Sequence, residues 1–149
     1  MDLTIVGCGY VGLALAEQLQ PRRPQLKLTL TTTSSERLEQ LSPLADRVEL
    51  CDAKDPVQLL NALRQSSSAV FCLGPKGDRQ VDANGYRHTF VDSFRCLTSL
   101  LPQLPELRQI VYTGSCSVYG RGTGWMSKHR PHQAAAMAMF CWKANNCLA

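Results

Sequence analysis

Short apolar runs alternate with longer stretches of helical periodicity over most of the chain. The apolar runs have the length of strands and occupy residues 3–6, 26–32, 47–52, 68–75 and 107–115. Between them, apolar residues recur every three or four positions, which is the spacing of one face of an amphipathic helix. Strands that alternate with helices in this way form a parallel sheet with right-handed crossovers. We therefore predict an α/β fold with a doubly wound parallel sheet.

The first helical stretch follows the first apolar run directly. Val11, Leu15 and Leu19 recur at four-residue spacing with Ala14 beside them, and this pattern predicts the face that packs on the sheet. The segment Gln20–Pro24 contains two prolines and predicts a turn before the second strand.

Three further helices are predicted from caps and periodicity. Ser34 is a candidate cap for a helix from Glu36 to Leu41, which Pro43 then breaks, and Asp55 for one from Pro56 to Arg64. The third helix carries a long apolar stripe, which we interpret as core rather than as a ligand-binding surface. Its residues are Tyr86, Phe90, Phe94, Leu97 and Leu101.

Three glycines lie between the first strand and the first helix. Gly7, Gly9 and Gly12 match the G-x-G-x-x-G pattern of dinucleotide-binding domains. In that pattern the first glycine permits a tight turn, the second lets the backbone approach a pyrophosphate, and the third lets the helix press against the strand. Tyr10 and Val11 begin the helix, whose free N–H groups and dipole favour an anion. The fold is thus predicted to be a Rossmann-like NAD(P)-binding domain.

The end of the second strand favours NADP as the cofactor, with NAD as the alternative. Sites that prefer NAD carry an acidic residue about 20 positions beyond the glycines, whereas this segment carries Thr32, Thr33, Ser34 and then Arg37. Hydroxyl groups and a guanidinium could together bind a 2′-phosphate. In the alternative interpretation, Ser34 only caps the helix and Arg37 is solvated.

Ligands of such sheets bind beyond the carboxyl ends of the strands. Asp52, after the third strand, is either an adenine contact or a turn-stabilising aspartate. Gly74 lets the backbone pass close to a cofactor. The full set of candidate cofactor-binding residues adds neighbours at these strand ends: Gly7, Gly9, Tyr10, Val11, Gly12, Thr32, Thr33, Ser34, Arg37, Asp52, Ala53, Leu73, Gly74, Pro75 and Thr113.

Composition narrows the class of protein. A chain of 149 residues is long enough for one domain with its own core, and its net charge of +4 is modest and without a basic stripe, so nucleic acid is not an expected partner. Seven scattered cysteines without a C-x-x-C pair fit reduced thiols, and no metal site is expected. No signal sequence or membrane-spanning stretch is apparent, which favours a cytoplasmic protein that does not contact membranes.

Two segments resemble a known family, the extended and atypical short-chain dehydrogenase/reductases, which include the NAD(P)-dependent epimerases and dehydratases. They are Ile5–Gly12 and Ile110–Gly120, the latter containing the sequence Thr-Gly-Ser-Cys-Ser-Val-Tyr-Gly. The resemblance implies that Ser115 is a catalytic hydroxyl that contacts the substrate, and that Asp52 contacts adenine. Tyr119 is a candidate acid, although a role in the wall of the substrate pocket is favoured.

The chain also departs from this family. The usual acid/base pair, Tyr-x-x-x-Lys, does not occur in the sequence, and Met139 stands four positions before Lys143 where the tyrosine is expected. A thioether cannot exchange protons, so the usual reaction is not supported.

The resemblance ends near residue 122, which gives a Rossmann domain over 1–122 and an atypical tail over 123–149. The tail holds both tryptophans and no acidic residue. Our hypothesis is that it is out-of-frame or otherwise non-homologous sequence and that the sheet is incomplete at its C-terminal part. The alternative is a genuine helix from Gln133 to Ala144. An incomplete sheet exposes an edge, which makes a homodimer conceivable.

The sequence therefore predicts an NAD(P)-binding protein related to epimerases, dehydratases and reductases. Under this interpretation it is a truncated oxidoreductase acting on a carbonyl or nucleotide-sugar-like substrate. The alternative is a non-catalytic nucleotide-binding or regulatory module. A relationship to the dehydrogenases that oxidise nucleotide sugars to acids is less favoured, because the segment around Ser115 does not fit them.

Overall fold

The computed structural model describes residues 2–74, 85, 87–114 and 141–143. Strands and helices alternate in chain order through its parallel part. The strands are β1 (Asp2–Val6), β2 (Lys27–Thr32), β3 (Arg47–Leu50), β4 (Ser68–Phe71), β5 (Gln109–Tyr112) and β6 (Cys141–Lys143). The α-helices are α1 (Tyr10–Arg22), α2 (Leu38–Leu41), α3 (Pro56–Leu63) and α4 (Ser93–Leu100).

The strands form one sheet in the order β3-β2-β1-β4-β5-β6. The first five strands are mutually parallel, whereas β6 runs antiparallel to β5. The strand β1 lies inside the sheet, where Leu3 pairs with Leu28 on one side and with Ser68 on the other. The predicted α/β fold with a doubly wound parallel sheet is confirmed.

Helices cover both faces of this sheet, and each face has its own core. On one face, Ala16 of α1 and Leu41 of α2 are buried with Ile5 and Leu30 of the sheet. On the other face, the cluster combines residues of α3 and α4 with Phe71 and Tyr112 of the sheet, whose rings stack with centroids 5.5 Å apart. The apolar alternation of β1 explains this division, because Ile5 and Val6 point to opposite faces of the sheet.

The first helix is longer than predicted. It continues through Pro21 to Arg22, so the turn predicted at Gln20–Pro24 begins later, at Arg23, whose carbonyl oxygen accepts from the N–H of Leu26 at 2.9 Å. Its buried residues are Gly12 and Ala16, whereas Val11 is 55% exposed. The predicted face is confirmed in part, because Leu15 and Leu19 are partly buried and pack against the core on this side of the sheet, whereas Val11 is not part of it.

The segment after β2 is more irregular than the predicted helix from Glu36 to Leu41. A 3-10 turn at Ser35–Arg37 leads into the short α2, and a second 3-10 turn at Ser42–Leu44 contains Pro43. The prediction of a helix from Pro56 to Arg64 is closer, because α3 begins at Pro56 behind Asp55 as expected.

A π-helical segment at Arg87–Asp92 precedes α4, and a 3-10 turn at Leu101–Gln103 follows it. The predicted apolar stripe does face the core, because Leu97 is buried there and Phe90 and Phe94 pack against it. The ring of Phe94 meets that of Tyr112 edge-on, with centroids 6.0 Å apart. The π-helical winding was not predicted.

Part of the atypical tail belongs to the sheet. Cys141–Lys143 pairs with β5 in the register Gln109 to Lys143, Ile110 to Trp142 and Val111 to Cys141. The alternative prediction of a helix from Gln133 to Ala144 is therefore wrong for these three residues. The rest of that predicted helix, and the predicted boundary near residue 122, lie outside the described residues.

Candidate functional site

The carboxyl ends of the parallel strands border a cavity of about 650 Å³. Most of the candidate cofactor-binding residues among the described ones contribute to its lining. Those at the cavity are Gly7, Gly9, Tyr10, Val11, Thr32, Thr33, Arg37, Asp52, Ala53, Leu73, Gly74 and Thr113. Five separate chain segments thus converge on one edge of the sheet, as expected for a parallel α/β fold.

The turn after β1 depends on Gly7. Its φ of 85° lies in the left-handed region, which glycine adopts without the strain that a Cβ would bring. A Cβ at this position would also lie 2.9 Å from Leu73 Cδ2 and 3.0 Å from the carbonyl oxygen of Cys72. The backbone of the turn is fixed by Thr31, whose Oγ1 accepts from the N–H of Gly7 at 3.0 Å and whose carbonyl accepts from Cys8 at 2.8 Å.

Gly9 and Gly12 have different surroundings although both are close to the helix start. A Cβ added at Gly9 would meet nothing within 4 Å, so the space beside this backbone is open. A Cβ at Gly12 would lie 2.7 Å from the carbonyl oxygen of Gly7, so only glycine permits this approach of α1 to the turn. Gly12 therefore lets α1 pack against the glycine turn, but it does not itself line the cavity.

The N-terminus of α1 opens towards the cavity without a cap from the described residues. Gly9 occupies the N-cap position, no side chain of the described chain accepts from the first turn, and no acidic residue lies in that turn. Tyr10, the first helical residue, is 92% exposed, and Val11 follows it at the cavity. The first backbone N–H groups and the positive end of a 13-residue helix are thus available to an anion.

Arg37 connects the segment after β2 to the glycine turn. Its Nη1 donates to the carbonyl oxygen of Cys8 at 2.6 Å, and its side chain lines the cavity. Among the described residues no carboxylate forms an ion pair with it. The guanidinium therefore keeps further N–H donors for a ligand.

Thr32 and Ser34 stabilise the backbone here in a way that the sequence did not predict. The Oγ1 of Thr32 accepts from the N–H of Ser34 at 3.2 Å, and Ser34 stands at the N-cap of the 3-10 turn with no side-chain cap bond. The prediction that the Ser34 hydroxyl caps the helix is thus wrong. Ser34 is also not among the residues at the cavity, whereas the exposed Thr33 is.

Asp55 caps a helix and Asp52 stabilises a turn, and the sequence had suggested both of these roles. Asp55 Oδ1 accepts from Val57 at 2.9 Å and from Gln58 at 3.1 Å, and so caps α3. Asp52 stabilises its own turn, because its Oδ1 accepts from the N–H of Lys54 at 3.0 Å and its Oδ2 lies 3.6 Å from Lys54 Nζ. Asp52 nevertheless lines the cavity, so this turn-stabilising role leaves it accessible to a ligand.

The ends of β4 and β5 complete the described floor of the cavity. Cys72 donates its N–H to the carbonyl of Val6 at 2.8 Å, and Thr113 Oγ1 donates to the carbonyl of Phe71 at 3.0 Å. Leu73 and Gly74 follow at the cavity, and a Cβ at Gly74 would meet nothing within 4 Å. The predicted residues Pro75, Ser115 and Tyr119 lie outside the described residues.

Three thiols at the cavity are held in the neutral form. Burial raises the pKa of Cys8 to about 11, against which the nearby Arg37 guanidinium acts only weakly, and raises the pKa of Cys51 to about 12. Burial also raises the pKa of Cys72. Thiolates are the nucleophilic form of cysteine, so these side chains serve as packing residues of the cavity wall.

One wall of the cavity was not predicted from the sequence. This wall is formed by the segment between β4 and β5, and its residues at the cavity are Gly85, His88, Thr89 and Ser93. His88 Nδ1 lies 3.0 Å from Asp92 Oδ2. The sequence signal for this wall is the four-residue spacing of His88 and Asp92, which the apolar stripe of the same segment overlaps.

Two structural findings bear on other classes of site. Among the described residues, no three or more side chains of His, Cys, Asp or Glu are grouped so that they could hold a metal ion. No helix in the described part of the chain has the length and apolar character needed to cross a membrane.

Comparison with known proteins shows which solved structures share this fold. No family model matches the chain, and no curated protein matches it by sequence. Solved structures do match. The ADP-L-glycero-D-manno-heptose-6-epimerase of Helicobacter pylori matches with a TM-score of 0.68 at 17% identity, covering 87% of this chain and 44% of that one.

Two further matches carry a nicotinamide cofactor. The yeast methylglyoxal/isovaleraldehyde reductase complexed with NADPH has a TM-score of 0.65 at 13% identity, covering 80% of this chain and 38% of the reductase. A variant of uronate dehydrogenase from Agrobacterium tumefaciens complexed with NAD has a TM-score of 0.57 at 19% identity, covering 80% and 42%. The likeness is one of fold. The chain spans less than half the length of these three structures.

Proposed function

We propose that the chain binds a nicotinamide dinucleotide at the carboxyl edge of its sheet, with NADP preferred over NAD. The observation that carries this proposal is the helix start at Gly9. An uncapped, 13-residue helix begins there beside open space and faces the cavity. A pyrophosphate is the type of anion that such a helix start accommodates, because it accepts from several adjacent backbone N–H groups.

The residues present fit this group. The space beside Gly9 would be filled by any larger side chain, the first turn of α1 carries no acidic residue, and Arg37 lies at the cavity. The solved structures with this fold that carry NADPH or NAD support a dinucleotide as the ligand class.

The preference for NADP rests on Arg37 and on the end of β2. Residues Thr31–Ser34 carry no carboxylate that would repel a phosphate, and the Arg37 guanidinium is held on the glycine turn by the Cys8 carbonyl. A guanidinium fixed in this way is suited to a phosphate group, to which it can donate two parallel hydrogen bonds. Thr33 is exposed at the same part of the cavity and could donate a further bond.

We propose two alternative functions for the chain with its nucleotide bound. In the first, the chain is the nucleotide-binding part of an oxidoreductase or epimerase acting on a carbonyl or nucleotide-sugar-like substrate, in which Ser115 contacts the substrate. The cofactor would supply the hydride chemistry, and the protein would supply binding and orientation. In the second, the chain is a non-catalytic nucleotide-binding or regulatory module. The absence of a Tyr-x-x-x-Lys pair from the sequence favours this second function.

Calorimetric titration with NADPH and NADH tests the binding proposal. The variant Gly9→Val places a branched side chain in the open space beside the helix start, so we expect it to abolish binding while the fold is retained. Ala14→Val is the matched control, because Ala14 is exposed on the same helix and is not at the cavity. Equal binding by wild type and Gly9→Val, or no binding of either nucleotide by the folded wild type, contradicts the proposal.

The variant Arg37→Ala tests the choice of cofactor. A hydrogen bond to a charged group contributes about 1.5–3 kcal/mol, which corresponds to a loss of roughly 10- to 100-fold in NADPH affinity. NADH affinity should change much less, since NADH lacks the 2′-phosphate. Arg22→Ala, at the other end of α1, is the matched control for the loss of one positive charge. A uniform effect of Arg37→Ala on both nucleotides would refute the NADP preference.

Turnover separates the two functions. NADPH oxidation, followed by absorbance with a panel of carbonyl substrates, should occur if the chain is an oxidoreductase and should be lost in Ser115→Ala. Binding of NADPH without turnover of any substrate favours the non-catalytic module.

A further inference from the structure

The cavity has walls from both faces of the sheet. The wall on the face that α4 covers carries an ionisable side chain. The glycine turn and Arg37 belong to the face covered by α1 and α2, whereas His88, Thr89 and Ser93 belong to the segment that leads into α4 on the opposite face. A ligand that lies against the helix start at Gly9 therefore has His88 on the opposite wall of the same cavity.

His88 is positioned by a chain of charged partners. Its Nδ1 lies 3.0 Å from Asp92 Oδ2, while Asp92 Oδ1 lies 3.7 Å from Arg95 Nη1. The π-helical segment that carries His88 is itself attached to the sheet, because Tyr112 donates its hydroxyl to the carbonyl of Phe90 at 3.2 Å. The side chain of His88 remains 71% exposed although one ring nitrogen is bonded.

This arrangement presents one ring nitrogen of His88 to a ligand. A carboxylate bonded to Nδ1 fixes the orientation of the ring, which leaves Nε2 for a second partner. Among the described residues, no hydrogen bond or ion pair involves Nε2. The wall opposite the glycine turn thus offers a ring nitrogen that has no partner among the described residues.

We propose that His88 contacts an anionic group of the bound dinucleotide and that binding takes up a proton at this residue. The inference rests on the proposed function and extends it, because it makes the affinity of the site depend on pH. Its partner is the phosphate chemistry of the nucleotide, and Asp92 is the positioning residue that stabilises the charged ring.

The other ionisable groups at the cavity do not compete for this role near neutral pH. Arg37, Lys54 and Asp52 share the cavity with His88 and belong to residue types that keep their charge between pH 6 and pH 8. Burial raises the pKa of Cys8 to about 11 and that of Cys51 to about 12, and it also raises the pKa of Cys72, so these thiols stay neutral. Histidine is the side chain that ordinarily changes charge in this range.

The expected size of the effect follows from linkage. A tenfold preference of the ligand for imidazolium gives an uptake of at most about half a proton. The same preference makes binding at most about tenfold tighter at low pH than at high pH. The sign is fixed by the ligand, because an anion stabilises the protonated ring.

The experiment measures proton uptake directly. NADPH and NADH are titrated calorimetrically at pH 7 in phosphate and in Tris, whose different ionisation enthalpies report the protons exchanged on binding. NADH serves as the second ligand because it lacks the 2′-phosphate, whose own ionisation lies near pH 6, at about the value of other phosphate monoesters. The variants are His88→Gln, Asp92→Asn and the non-titrating control Ser99→Ala, which is exposed on α4 and does not line the cavity.

We expect uptake of up to about half a proton for wild type and Ser99→Ala, a smaller uptake for Asp92→Asn, and none for His88→Gln. The same pattern is expected with both nucleotides. Binding without proton uptake, or equal uptake by wild type and His88→Gln, overturns the role of His88 and leaves the proposed function intact. No binding of either nucleotide by the folded protein overturns both.

Discussion

The positive φ of Gly7 makes a sharp prediction about stability. Gly7→Ala adds one methyl group at a backbone conformation that residues with a side chain rarely adopt, and its Cβ would lie 2.9 Å from Leu73 Cδ2 and 3.0 Å from the carbonyl oxygen of Cys72. The carbonyl belongs to the backbone that leaves β4, so it cannot move without disturbing the sheet. The Leu73 side chain can rotate, which relieves only part of the overlap.

Two effects add to the expected cost. The left-handed conformation costs a residue with a Cβ about 1–2 kcal/mol, and overpacking by one carbon costs about 1–3 kcal/mol. Together they predict a loss of about 2–5 kcal/mol in the free energy of unfolding. This is a large part of the roughly 5–15 kcal/mol that stabilises an ordinary domain.

Urea denaturation followed by circular dichroism measures this loss. The matched control is Gly9→Ala, because a Cβ at Gly9 meets nothing within 4 Å and its φ of −77° suits any residue. Only the weaker capping by alanine applies there, so the control should lose no more than about 1 kcal/mol. Both variants should unfold with the same dependence on urea as the wild type.

The stabilities of Gly7→Ala and Gly9→Ala together test the described geometry of the glycine loop. If Gly7→Ala is as stable as the wild type, the turn tolerates a side chain and the stated geometry of the glycine loop is wrong. If Gly9→Ala is destabilised as strongly as Gly7→Ala, the space beside the helix start is not open, and the binding proposal loses its main support.

Three further predictions concern the rest of the chain. Asp55→Ala should cost about 1 kcal/mol in urea denaturation, because it removes both cap bonds to α3. Leu63→Ala, in the core between α3 and the sheet, should cost about 2–5 kcal/mol in the same assay. Raising the pH from about 9 to about 11 should lower the free energy of unfolding by about 2 kcal/mol through Cys8 alone, because the unfolded thiol ionises almost fully while the buried one, with its pKa raised to about 11, is only half ionised at the higher pH. Cys8→Ser should reduce this loss, measured as the change in urea midpoint with pH, and an undiminished loss would contradict the cause given.

The strands and the glycine turn were predictable because their signals are local. Apolar runs of strand length identified the five parallel strands, and the spacing of Gly7, Gly9 and Gly12 located the turn that joins β1 to α1. The proline and aspartate at the start of α3 were predictable for the same reason, since a cap and the helix it stabilises are adjacent in sequence.

Features that depend on distance between elements were not predictable. The buried face of α1 contains Gly12 and Ala16 because the helix approaches the glycine turn closely. A search for periodic apolar residues does not identify glycine as a packing position. The Ser34 hydroxyl does not cap because the segment begins with a 3-10 turn. His88 came to the cavity through a π-helical winding, which shifts side chains relative to the spacing of an α-helix.

The central place of β1 in the sheet has a consequence for synthesis of the chain. Although β1 precedes β4 in the chain, one of its edges pairs with β4, and Leu3 must wait for Ser68. The bond from the Cys72 N–H to the Val6 carbonyl holds the end of β1 beside the end of β4. Until β4 has left the ribosome, the glycine turn therefore has an unpaired strand edge behind it. Contacts between segments so distant in sequence slow folding, so this edge is where a chaperone or a second nascent chain would bind first.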